Sequence, residues 1–326
     1  MLISILVDVL AIATPLLLAA TGILIVEKSG VLNLGVEGMM IVGALAGYLV
    51  GGQLDICNGD LIAGACYVGG KLPFGGFVIA TLAAGLVAAL FSLLFAFLVL
   101  VLRANQVATG LGLTIFGLSL TNAIGTQGVD LNGIPLAGLA PVEWRNADGP
   151  LRLLSLNALT YLALFTLPLA LWFLQRTRAG LVLRAVGENH DSAHTLGYSV
   201  RRVRVMAVLF GGFMCGIAGA YMSLAFPEPS WREGISNGFG WLALALILFG
   251  TWRPLRVLLG GLLFGLTISA EPRLQLIDNM PGWFETLLLP SLPYLLPIVV
   301  LALISADATM IRRNAPGSLG KTFEQS

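Results

Sequence analysis

Read by hydropathy, the chain is a series of long apolar runs separated by short polar breaks, and a bilayer crossing takes about 20 mostly apolar residues. The runs cover residues 2 to 25, 31 to 51, 74 to 102, 107 to 125, 157 to 174, 203 to 225, 236 to 252, 255 to 270 and 284 to 305. They predict an all-α, polytopic transmembrane helical bundle of about nine spans, within a range of roughly eight to ten. The stretch 74 to 102 is long enough for one tilted helix or two pieces, and 255 to 270 is short for a crossing at roughly 1.5 Å rise per residue. The first run lacks a basic leading region, carries Asp8 and shows no small-residue cleavage site. It therefore reads as a retained first span, bent at Pro15, and not as a removed leader.

The most informative interruption is the stretch from Glu27 to Met40, which holds Lys28, Asn33 and Glu37 among glycines and apolar residues. An ionisable side chain in a bilayer costs a few kcal/mol or more, so it faces a bundle interior or a water-filled cavity. Asn33 and Glu37, four residues apart, would share a helical face and make a polar lining. The competing reading is structural: Glu37 accepts hydrogen bonds from a neighbouring backbone break. A second polar island, Arg103 to Gln106 followed by Thr109 and Thr114, opens the fourth span, and Asn122 lies at its far end. Neutral hydrogen-bonding groups suit neutral polar solutes; interhelical bonding is the alternative for each. The expected pathway residues are Asn33, Glu37, Asn105, Gln106 and Asn122.

Asn33 to Gly47 and Asn237 to Gly250 each begin with an Asn/Gly-rich break and run into an apolar helix. Paired interruptions of this kind mark the central site of many transporters, and here they predict discontinuous helices near the centre. Gly43, Gly47 and Gly51, Gly212 and Gly216, and Gly261 and Gly265 recur every four residues, a spacing that permits close helix contact.

Composition agrees with this picture: 57% of the residues are hydrophobic and 11% charged, with mean hydropathy +0.90. The net charge of +1 leaves no nucleic-acid footprint. If the loop 175–202 is cytoplasmic, thirteen of the eighteen lysines and arginines fall on that side, as the positive-inside tendency requires. This sets the N-terminus outside and the C-terminus in the cytoplasm. The connecting segments are too short for a separate soluble domain, so residues 1–311 read as one transmembrane domain and 312–326 as a polar, mobile cytoplasmic tail. Cys57 and Cys66 share one polar loop and could pair in an oxidising space; Cys215 lies in an apolar run.

Enzymatic motifs are weak. His190 and His194 stand four residues apart with Asp191 between them, but no third ligand is near and no metal site is expected. Gly317 to Thr322 resembles a phosphate loop that lacks its first glycine, since residue 315 is Ala315. Both histidines lie in a charged loop and not within a span, which argues against an intramembrane enzyme. The segment Gly187 to Gly197 reads as a short helix with capping residues at its start and glycine at its stop.

Three segments carry a resemblance: Glu27 to Met40; Gly187-Glu188-Asn189 to Gly197; and Gly240 to Pro254, which ends Gly250-Thr251-Trp252-Arg253-Pro254. Together they are similar to the permease subunits of ABC importers of the nucleoside and simple-sugar type, related to ribose and branched-chain amino-acid permeases. The resemblance runs over nearly the whole chain. It implies a non-enzymatic transport subunit of the cytoplasmic (inner) membrane, paired with a second permease subunit, identical or different. It further implies cytosolic ATPase subunits that use the ATP, an extracytoplasmic binding protein that delivers solute, and no cofactor in this chain. Gly187, Glu188, Asn189, Ala193 and Gly197 match the family's ATPase-coupling helix, although His190, Ser192 and His194 stand where relatives commonly carry Pro, Ala and Asp. A nucleoside is the solute it favours. The alternative is an ion-coupled secondary transporter that uses Glu37, with Asp8 as its other intramembrane carboxylate.

Overall fold

The structure, a computed structural model, describes residues 2–54, 61–62, 65–66, 74–126, 156–226, 231–236, 238–275, 314–323 and a few positions between 288 and 299. Its helices are α1 (Leu2–Lys28), α2 (Val36–Leu54), α3 (Phe74–Ala96), α4 (Gln106–Thr126), α5 (Ala158–Arg176), α6 (Arg178–Glu188), α7 (His190–Thr195), α8 (Val200–Leu224), α9 (Phe239–Phe249) and α10 (Pro254–Leu274). A π-helical turn, Phe97–Val101, prolongs α3, so the run 74 to 102 forms one continuous rod. Leu61–Ile62 pairs antiparallel with Ala65–Cys66. Cys57 lies outside the described residues, as does most of the expected span 284 to 305.

Among the described residues six helices, α1, α3, α4, α5, α8 and α10, are long and apolar enough to cross a membrane. The limits of three expected runs differ from these helices. The run 236 to 252 forms only the 11-residue α9, roughly 16 Å long, about half the hydrocarbon thickness. The run 31 to 51 becomes helical only at Val36. The run 255 to 270, short for a crossing by hydropathy, extends to the 21 residues of α10, roughly 31 Å. Hydropathy ends a run at a charged residue such as Glu271, whereas the helix continues past it to Leu274.

Helices apolar on every face must be buried by protein or by lipid, and the chain uses both solutions. The most apolar stretches of α1 and α8 are 83% and 72% buried within the protein, against 28% to 39% for α3, α4, α5 and α10. Thus α1 and α8 form the centre, with α2 and α3 packed on α8, while the outer helices turn leucine and phenylalanine outward, as at Leu86, Leu90, Ile115 and Phe165. The glycine repeats serve this packing. Gly43 meets Gly216 backbone to backbone, Gly216 meets the Ala84 carbonyl, and Gly219 lies against the Met40 carbonyl.

The basic segments converge at one end of the bundle. Lys28 Nζ donates to the Asn314 carbonyl at 2.7 Å, Arg204 Nε to the Ser29 carbonyl at 3.3 Å, and Arg253 Nε to Asn314 Oδ1 at 3.3 Å. The terminal segment 314–323, expected to be mobile, is thus held: the Ser318 amide donates to the Gly187 carbonyl at 2.8 Å and the Gly320 amide to the Gly30 carbonyl at 3.2 Å. Its small residues, Gly317, Ser318 and Gly320, expose backbone groups that partners can reach.

Gly219→Val drives a branched side chain into the Met40 carbonyl, and backbone overpacking costs about 1–3 kcal/mol or more. We expect aggregation or a lowered unfolding midpoint on thermal unfolding in detergent. Gly112→Ala, at a site with nothing within 4 Å, should leave the midpoint unchanged or slightly raised.

Candidate functional site

The first motif turns at Gly30, whose φ of +89° suits glycine, and continues without helix through Gly35. Asn33 is buried there and closes a local turn: its Oδ1 accepts from the Gly35 amide at 2.8 Å. The expected shared helical face of Asn33 and Glu37 therefore does not form. An Asn side chain that bonds its own backbone two residues on competes with helix, and α2 starts only after it.

Glu37 sits in the first turn of α2 and is 4% exposed. Its Oε1 accepts from the Gly238 amide at 2.9 Å and its Oε2 from the Gly240 amide at 2.7 Å. A Cβ on Gly240 would lie 2.7 Å from the Glu37 nitrogen, so the N-termini of α2 and α9 abut directly. Each helix N-terminus carries roughly half a positive charge and unpaired N–H groups, and one carboxylate serves both. The two Asn/Gly breaks noted in the sequence thus meet in space.

Gln106 holds the start of the lead-in: its Oε1 accepts from the Leu32 amide at 2.7 Å, while its Nε2 is buried without a hydrogen-bond partner. Thr114 donates to the Leu34 carbonyl at 3.1 Å. Asn105 is exposed and caps α4 through Oδ1, accepting from the Val107 and Ala108 amides at 3.0 and 3.1 Å. Asn122 lies roughly 24 Å farther along α4 at 1.5 Å per residue. The structure therefore places Asn33 and Glu37 at the break before α2 and Gln106 at the basic-end start of that lead-in, and leaves Asn105 and Asn122 apart.

Sequence reasoning missed the other end of α9. Thr251 and Trp252 have φ of +47° and +53°, a left-handed conformation that costs non-glycine residues roughly 1–3 kcal/mol. Trp252 is held there by its indole, whose Nε1 donates to Glu27 Oε2 at 2.5 Å with both groups buried. The two more specific segments, Glu27 to Met40 and Gly240 to Pro254, thus meet twice. Glu37 binds the start of α9 and Glu27 the turn after its end. The signal available was the pair of acids bracketing one motif, but spacing alone names no partner.

The loop 175–202 holds two helices, not one. In α6 the buried positions Gly180, Leu183, Val186 and Gly187 recur at helical spacing, a period concealed by arginines and glycines. Asn189 ends α6 and caps α7, its Oδ1 accepting from the Asp191 and Ser192 amides at 3.1 and 3.0 Å. Ala193 is buried beside Val186 and Val200. Gly197, with φ of +87°, closes α7: its amide donates to the His194 carbonyl at 2.8 Å and that of Tyr198 to the Ala193 carbonyl at 3.1 Å, a left-handed helix stop. Gly187 packs on the Lys28 carbonyl, and the Glu188 carbonyl accepts from Ser318 Oγ at 3.3 Å. Leu196 at the tip is 75% exposed. Phe323 lies edge-on to both His190 and His194, with ring centroids 5.4 Å away in each case. Burial, and next the Arg204 guanidinium, push the His190 imidazole below its ordinary pKa. Asp8 forms an ion pair with Arg273.

Two broken helices meeting on one acid, six membrane-length helices among the described residues and a capped helix pair at the basic end agree with one match found in sequence. The pattern of the family described as branched-chain amino acid transport system / permease component fits residues 5–304. The chain belongs to that family. It is a multi-pass membrane permease, a transport subunit and not an enzyme. Among its relatives, the putative glucose ABC transporter permease protein TsgC13 of Haloferax volcanii is 36% identical, over 96% of this chain and 95% of the relative. The nucleoside ABC transporter permease protein NupC of Lactococcus lactis is 30% identical over 92% of both chains. The guanosine ABC transporter permease protein NupQ of Bacillus subtilis is 29% identical over 96% of this permease and 94% of its own length. In these three organisms a second, less similar permease also matches: TsgB13, NupB and NupP, respectively. No solved structure matches the chain.

Glu37→Gln replaces one acceptor oxygen with an N–H₂ group that must face the amide of Gly238 or Gly240. Leaving a buried donor unsatisfied costs about 1–3 kcal/mol. Thermal unfolding of the purified permease should show a lowered midpoint for Glu37→Gln and for Trp252→Phe. An unchanged midpoint in both would refute the two-ended grip on α9.

Proposed function

We propose that this permease is the membrane-spanning subunit of an ATP-driven ABC importer that carries a nucleoside across the cytoplasmic membrane by alternating access. Family membership sets the transport class. The observation that carries the mechanism is the capped α6–α7 pair at the basic end, bonded through Gly187 and Glu188 to the terminal segment and packed on the end of α1. A cytosolic ATPase that moves α7 would push on α1 and on the lead-in 31–35, whose far end is the Glu37 pin. Shifts of this kind require the partner to bind the two states unequally.

The solute assignment rests on two supports. NupC and NupQ are named for nucleosides, against glucose for TsgC13, and Asn33 beside the break is a neutral amide. In this reading Asn33 borders the solute path, and Gln106 holds the lead-in beside it through the Leu32 amide. Asn105 and Asn122 mark the two ends of the pathway along α4. Glu37 shapes the break and does not bind the solute, because both of its oxygens hold backbone amides. That occupancy, with Asp8 paired to Arg273, leaves the ion-coupled alternative without a free acid among the two it needs. The paired relatives in three organisms favour a second, different permease as partner. ATP is used on the ATPase subunits, and an extracytoplasmic binding protein delivers solute. The N-terminus lies outside and the C-terminus in the cytoplasm.

Proteoliposomes should accumulate guanosine only when ATP, the ATPase, the second permease and the binding protein are all present. Uptake by this chain alone, abolished by a protonophore, would contradict the proposal; uptake of glucose in preference to nucleosides would overturn the solute assignment. Leu196→Asp places a charge at the exposed tip of α7, and Glu188→Ala removes a tie to the Gly317 amide. Leu196→Asp should abolish ATPase binding without lowering the unfolding midpoint. Glu188→Ala should leave ATP hydrolysis running but reduce uptake severalfold; full uptake by both variants would sink the docking assignment.

A further inference from the structure

A cavity of about 90 Å³ opens at the basic end, between the α3–α4 corner, the start of α8 and the terminal segment. Its polar lining is Arg103, Gln106, Arg201, Arg204 and Thr322, closed on one side by Phe323: three guanidinium groups and no acid. One water needs about 10–15 Å³ of such volume, so the space admits several waters or one tetrahedral oxyanion.

Arg204 is 1% exposed, yet every acceptor it reaches is neutral. It donates to the carbonyls of Ser29 and Lys321 at 3.3 and 3.2 Å, and Nη2 lies 3.4 Å from His190 Nδ1. No carboxylate pairs with it among the described residues; Asp191 is on the outer side of His190, 3.4 Å from Nε2. A buried charge without a counter-charge is costly. On the same wall, the Nε2 of Gln106 is buried with no hydrogen-bond partner. An unbalanced cation, two further arginines and an unused amide donor are the complement of a phosphate, which accepts several charge-assisted hydrogen bonds at once.

The rim indicates the source of that phosphate. Phe97, Val101 and Leu102, at the end of α3 and beside the opening, are exposed and apolar, as is Val107 in the first turn of α4. An outer-helix surface of this kind contacts acyl chains, and basic pockets between transmembrane helices hold anionic lipid headgroups. We propose that the cavity binds the phosphate of an anionic phospholipid, whose acyl chains lie along Phe97, Val101 and Leu102. The bound phosphate balances Arg204 and fastens the terminal segment to α8. The inference depends on the membrane placement of the helices and not on which solute is carried, and its test has no transport readout.

The full-length permease, purified and stripped of lipid, is titrated with phosphatidylglycerol, with binding read by native mass spectrometry and by the thermal midpoint. Saturable binding and a raised midpoint are expected. Arg201→Ala, an exposed cavity-lining change, should weaken apparent affinity about tenfold, equivalent to losing one charge-assisted contact, and Arg201→Lys should restore part of it. Arg202→Ala, equally exposed but absent from the lining, should change nothing, which separates a built site from general attraction to anionic membranes. Equal binding by wild type and Arg201→Ala overturns the site. A matching stabilisation by inorganic phosphate overturns the lipid as its source. An Arg201→Ala defect confined to ATPase binding also overturns it, by making an acidic side chain of that subunit the missing counter-charge.

Discussion

Everything central in this permease depends on one carboxylate placed between two helix beginnings. Glu37 belongs to the first turn of α2 and accepts the Gly238 and Gly240 amides at the start of α9. Without it, two positive helix ends and their unpaired N–H groups would face each other where no water replaces the lost bonds, and each unsatisfied group there costs several kcal/mol. With it, the 11-residue α9 does not have to run the full thickness of the membrane. The bundle can therefore hold irregular backbone, residues 31 to 35, at its heart, tied by Gln106, Asn33 and Thr114.

The same constraint explains why the two most specific segments belong together. A short helix pinned only at its start would pivot. Here α9 is also held beyond its end, because Trp252 in a left-handed conformation reaches Glu27. Glu27 and Lys28 end α1, the Lys28 carbonyl packs on Gly187, and Gly187 accepts from Ser318. A contiguous set of packed and bonded groups therefore runs from the centre to the α6–α7 pair. Contiguity by itself is not coupling, but it supplies the rigid elements that a partner's push would need.

Much of this was legible in the sequence because hydropathy is a strong signal over 20 residues. The long runs became α1, α3, α4, α5 and α8 nearly as read, and the polar breaks at Asn33 and Asn237 marked the two interrupted helices. What the sequence could not express was pairing across distance. Glu37 has the same appearance whether it binds a solute or two glycine amides 200 residues away. Likewise, Arg204 reads as one more positive-inside arginine, and only packing shows it buried by Ser29, His190 and Lys321. The terminal segment read as mobile because its ties use backbone groups of small residues, which leave no hydrophobic pattern.

Amide hydrogen exchange at Gly238 and Gly240, measured in the intact permease and in Glu37→Gln, tests the central claim most directly. If the carboxylate holds both helix starts, the two amides are protected in the wild type. In the variant they should exchange about ten- to a hundredfold faster, as loss of roughly 1.4–2.8 kcal/mol of local stability requires. Exchange equally fast in both proteins, or protection unaltered by the substitution, would contradict the account.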